Sequence, residues 1–183
     1  MTTMYGWDGL GCDDSQVPPI DPRSVSKIGH ELLKAVEQVY LDAGIALPDR
    51  HIWTAGEVAW DCELLAVSLD SLRADEPPNW SNPGITPCLR PIVGVFRIAV
   101  VRCVPTPNDD GRPPPVEEMA LSADMTAIDA YLLMKSACRL DFWGWDQEPP
   151  NQNGGLGVVS TIEIGGPQGG MGAVTLVLTG IVG

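Results

Sequence analysis

A chain of 183 residues carries 11 Lys and Arg against 24 Asp and Glu, a formal net charge of −13 at neutral pH. That length suits one compact domain with loops to spare, and 44% hydrophobic residues suffice to bury a core, which excludes a wholly disordered chain. The acidic balance excludes a protein that grips nucleic acid by neutralising phosphates, because Lys and Arg would have to gather on one face, whereas Arg97, Arg102 and Arg112 stand apart.

Residues 1–20 have no helical or strand period and read as an extended N-terminal arm; residues 21–183 read as a single domain. Met1 to Gly11 lacks the basic and apolar regions of a signal peptide, and no apolar run approaches the ~18 residues of a membrane span. Five cysteines without a close pair then imply a reducing cytoplasm with free, mostly buried thiols. Asp21-Pro22 predicts a helix start, and Val25, Ile28, Leu32, Leu33, Val36, Val39 and Tyr40 recur at helical spacing up to Gly44.

From Val58 to Leu69, Trp60, Cys62, Leu64 and Ala66 alternate with Asp61, Glu63, Leu65 and Val67, which predicts a strand. Residues 70–91 are rich in Pro and Asn and read as a long loop. The apolar run Ile92 to Val104 predicts a central strand, broken only by Arg97 and Arg102. A second helix is expected from Val116 to about Leu140, with Glu117 and Glu118 in its first turn and an apolar stripe of Met119, Ala123, Ile128, Tyr131, Leu132 and Cys138. After a loop bearing Trp143 and Trp145, two strands are expected, Leu156 to Ile164 and about Ala173 to Val182, joined by the glycine-rich GGPQGGMG. The order implies an α+β fold, two helices packed on a mostly antiparallel sheet of four to five strands, with long loops.

Chemistry-bearing patterns are sparse. His30 and His51 are the only side chains whose ordinary pKa lies near neutrality. A nucleophilic pair of His51 with Cys62, Cys88 or Cys103 lacks a third orienting group, and the cysteines lack the C-x₂₋₄-C spacing of zinc sites. Asp13-Asp14 and Asp109-Asp110-Gly111 do not continue as a calcium loop. The late glycines lie between two strands rather than between a strand and a helix, so they are not a phosphate cradle. No catalytic residue, metal or cofactor is therefore expected. Loop aromatics are more telling, because large rings are enriched where one surface packs on another. Trp7, Trp80, Trp143 and Trp145, with Met171, are the candidates for contacts between subunits or with a neighbouring ring.

The first helix, the W-D-C-E-L-x-A-V-S-L strand at Trp60 to Leu69, the apolar strand ending V-R-C-V-P at Val101 to Pro105, and the glycine-rich G-P-Q-G-G before the last strand resemble tail terminators of long-tailed actinobacteriophages. The resemblance implies a virion protein, assembled in the host cytoplasm, that forms a hexameric ring on the head-proximal end of the tail tube. Such a ring ends tube polymerisation and joins the tail to the head-side connector or stopper protein. Its partners would be further copies of itself, the major tail tube protein and that connector, and genomic DNA would pass through the pore without specific binding. Asp61, Glu63, Glu117, Glu118 and Asp124 are candidates for an acidic lumen. A head-side adaptor or stopper is the nearest alternative reading, and a cytosolic Cys/His enzyme a remote one.

Overall fold

A computed structural model describes residues 22–74, 92–138 and 159–181. Helix α1 spans Pro22–Ala43, strands β1 to β3 span Arg50–Ala55, Leu64–Ala74 and Ile92–Cys103, helix α2 spans Val116–Cys138, and strands β4 and β5 span Val159–Gln168 and Met171–Ile181. The strands form one sheet in the order β1-β2-β3-β5-β4. The β1–β2 pair is parallel and the other three pairs are antiparallel. The α+β architecture is thus as expected, with five strands among the described residues. The N-terminal arm lies outside the described residues, as do most of the expected 70–91 loop and the Trp143–Trp145 loop.

Local chemistry sets the helix ends. α1 stops where Gly44 takes a left-handed φ of 67°. The Gly44 amide donates to the Leu41 carbonyl and the Ile45 amide to the Tyr40 carbonyl, each at 3.1 Å. This pair of bonds satisfies carbonyls the helix would leave open. α2 starts behind three prolines, with the Pro115 carbonyl accepting from the Glu118 and Met119 amides.

Both helices lie on one face of the sheet. Leu32, Val36, Val39 and Tyr40 of α1 and Leu132 and Leu133 of α2 close over Leu65, Val67, Phe96, Ile98, Val100, Val174, Leu176 and Leu178. Burying a large apolar side chain contributes about 1.5–3 kcal/mol, so this layer supplies the main driving force. β3 is buried on both faces along most of its length, as an apolar run interrupted only by Arg97 and Arg102 demands.

Several expectations are corrected. β1 stands where no strand was predicted: Arg50–Ala55 is mostly exposed and lacks the alternation that marks a strand. The strand expected from Val58 begins only at Leu64 and runs on to Ala74, so residues 70–74 belong to β2 rather than to the loop. Parallel neighbours need a return path, and Gly56 to Glu63 supplies it, leaving Val58, Trp60 and Cys62 outside the ladder. Most of the presumed glycine linker is strand. β4 reaches Gln168, β5 begins at Met171, and Gly169 and Gly170 at φ of 57° and 80° form the two-residue turn, the pair of positive φ angles such hairpins require.

On α2 the buried residues are Asp129, Leu132, Leu133 and Ser136. Of the expected stripe, Leu132 is buried and Ile128 partly so, while Met119, Ala123, Tyr131 and Cys138 are exposed. Cys62 and Cys103 are not free thiols: they form a disulfide with Cα atoms 4.9 Å apart. They continue the β2–β3 register beyond Leu64↔Val101, so pairing of the strands brings together cysteines far apart in sequence. Among the described cysteines, Cys138 is free.

Candidate functional site

The sheet face away from the helices carries a second, smaller apolar cluster of Leu64, Ala66 and Val101, with Val58, Met171 and Ala173 packed on it. Val58 and Trp60 come from the β1–β2 return path, whose far end is anchored by the Cys62–Cys103 bridge. Beside this cluster runs a groove of about 610 Å³ floored by Ala66, Ser68, Ala99 and Val101 and bounded by Glu57, Trp60, Asp70 and Arg97. A neighbouring hollow of about 540 Å³ shares Trp60 and Arg97 and is lined further by Glu163, Met171, Ala173 and Thr175.

Arg97 stands at the centre of this face. Its Nε donates to Asp70 Oδ2 at 2.9 Å, and its Nη1 lies 3.7 Å from Glu163 Oε2. Asp70 also accepts from the Ser68 hydroxyl at 3.3 Å, and it sits where the β2–β3 register shifts between Leu69 and Ser71, a bulge that re-aims a side chain. Among the described lining residues, the carboxylates of Glu57, Asp70 and Glu163 oppose the guanidinium of Arg97 around the two hollows. The surface is therefore mostly apolar at its floor, interrupted by the Ser68 hydroxyl that turns to Asp70, and net acidic at its rim.

A second cluster lies on the helix side. Asp129, 1% exposed, accepts a 2.8 Å hydrogen bond from the Tyr40 hydroxyl and two 3.1 Å bonds from the Arg102 guanidinium. Arg102 also donates to Glu63 Oε2 at 3.1 Å and to the Ala46 carbonyl at 2.9 Å. Burial first, then the Asp129 charge and hydrogen bond, push the Tyr40 phenol well above the ordinary tyrosine range. Burial alone would draw a proton off Arg102, but its bonds and charges with Asp129 and Glu63 outweigh that and keep it firmly cationic. This network ties both helices to the sheet and is sealed by its own partners.

The five acidic lumen candidates do not form one set of open carboxylates. Asp61 is paired with Arg50 at 2.8 Å and accepts from the Cys62 amide, and the Arg50 bond, then that amide, hold its carboxyl below the ordinary aspartate range. Glu63 has a positive φ of 55° and spends its carboxylate on Arg102 and the Cys103 amide. Glu117, Glu118 and Asp124 are exposed on the first half of α2. Of the interface candidates, Met171 lines the hollow beside Trp60, while Trp7, Trp80, Trp143 and Trp145 lie outside the described residues.

The His51 ring is engaged at both nitrogens, Nδ1 with Glu37 at 2.6 Å and Nε2 with the Pro48 carbonyl at 2.8 Å. Its suggested partners Cys62 and Cys103 are joined to each other. Among the described residues no three metal-ligating side chains gather, and no helix is long and apolar enough to cross a membrane. Sequence reasoning passed over Arg97, Asp70 and Trp60 as site residues. An arginine inside an otherwise apolar central strand was the available signal, since a charge there requires partners. Compared with protein-family models and with curated proteins, the chain matches none.

Proposed function

We propose that the protein is a structural subunit of a phage tail, a tail terminator that forms a ring on the head-proximal end of the tail tube, ends its growth and joins it to the head connector. The groove opposite the helices carries this reading. It has a mostly apolar floor, the half-exposed Trp60 at its wall with Met171 in the adjoining hollow, and an acidic rim around Arg97. These are the components of a polypeptide contact, an apolar centre with a polar border. A contact in which the groove of one copy takes a different surface of the next is head to tail, and contacts of that kind close into a ring when the rotation between successive copies closes. The engagement of His51, Cys62 and Cys103 with other groups supports a structural role over thiol chemistry.

The native mass of the purified protein, alone and with tail-tube protein, tests the reading. A closed ring that binds headless tails is the expected outcome, and Trp60→Glu, a change at a half-exposed rim position, weakens ring formation while the monomer stays folded. Binding to DNA-filled heads but not to tails would identify an adaptor or stopper instead. A monomer indifferent to both would end the proposal.

A further inference from the structure

α2 is apolar on two sides. Opposite its buried Leu132, Leu133 and Ser136, the residues Val116, Ala120, Ala123, Ala127, Tyr131 and Met134 recur every three or four positions along the whole helix. Val116 is 75%, Tyr131 66% and Met134 40% exposed. An amphipathic helix buries one apolar stripe, so a second stripe left open to water is a surface for another partner to cover. The outward face of α1, by contrast, carries exposed Lys27, His30 and Lys34, as a solvent face should.

We propose that the outer face of α2 packs against the same face of a second copy, the two helices running antiparallel about a two-fold axis near Ala127. With the axis there, Ala127 meets Ala127 at the middle of the seam, and Ala123 and Ala120 of each copy leave room for Tyr131 and Met134 of the other. Charge selects the direction and the partner. Glu117 and Asp124 border one side of the stripe near its start, and Lys135 borders the same side near its end. In an antiparallel pair like sides face each other, so Glu117 of one copy meets Lys135 of the other, twice by symmetry, and Asp124 faces the Tyr131 phenol. A parallel pair sets that charged side against the Met119 side, where no base answers Glu117. The contact lies on the helix layer, away from the groove, and does not depend on the ring reading.

The exposed Cys138 supplies the test. With the axis near Ala127, position 116 of one chain faces position 138 of the other. The Val116→Cys protein treated with a short bismaleimide is expected to give a cross-linked dimer, mapped by mass spectrometry to the introduced thiol and Cys138, and lost when Cys138→Ser is added. Position 116 is open to solvent, so folding is not at risk. A Cys138–Cys138 cross-link in the unaltered protein, or no cross-link in the variant, would overturn the proposal. Independently, Glu117→Lys should weaken self-association by about tenfold in sedimentation, two symmetric surface pairs turning repulsive, and adding Lys135→Glu should restore it. Failure of the second change to rescue the first would also overturn it.

Discussion

Asp129 shows how one buried charge organises this molecule. With 1% of its surface exposed, it depends on two arginine bonds and one tyrosine bond. Removing one partner of a buried ion pair leaves a charge with neither water nor counter-ion, a loss of about 3–5 kcal/mol. Arg102→Ala is expected to lose that much in chemical denaturation. Tyr40→Phe keeps the arginine bonds and should lose only about 1–2 kcal/mol at neutral pH.

The same tyrosine also makes a prediction about pH. Its folded pKa is raised by burial and then by Asp129, so its contribution is fully present below the unfolded tyrosine pKa of about 10 and declines as pH rises beyond that value. The unfolded chain releases a proton that the fold retains. Urea midpoints of the wild type should therefore fall more steeply than those of Tyr40→Phe above about pH 10, and parallel curves would show that the phenol ionises freely in the fold.

At the scale of elements, close approach of α1 to β1 rests on one glycine. A Cβ at Gly29 would fall inside the Trp53 indole, which itself packs on Phe96 with ring centroids 6.1 Å apart. Trp53 is the side chain by which the otherwise exposed β1 reaches the core. Gly29→Ala is expected to cost about 2 kcal/mol by overpacking, and Trp53→Val in the same chain should recover part of it, because the two residues are in contact. Thermal melts of the two single variants and the double variant measure this; strictly additive losses would refute it. The β2–β3–β5 centre needs no such device, since its strands pair along nearly their whole length.

For the whole molecule the net charge of −13 sets the terms of assembly. Six copies in a ring would total about −80 before counter-ions condense. Self-repulsion of that size is screened over about 10 Å at 0.1 M salt and over about 30 Å at 0.01 M. The fraction of protein in rings, read from native mass or sedimentation, is expected to rise as salt is raised between those concentrations. A fall would mean that attraction between charged faces outweighs the repulsion.

Much of the fold was legible in the sequence, and where it was not, the reason is physical. α1, the central run of β3, the start of α2 and the α+β class follow from local signals: Pro22 and Gly44 at the helix ends, an amphipathic period, a largely apolar stretch rich in Val and Ile. β1 did not, because a mostly exposed edge strand has no alternation to betray it. Nor did the groove, since Trp60, Asp70, Arg97 and Glu163 meet only when β2, β3, β5 and β4 align. The Cys62–Cys103 bond likewise depends on register. On α2 the sequence held apolar residues for two faces without saying which was inside. By itself it determined the local elements, the apolar supply of the core and the acidic charge. Which face of α2 is buried, which cysteines meet and where Arg97 finds its carboxylates were decided by tertiary structure, because those choices depend on pairing between segments far apart in the chain.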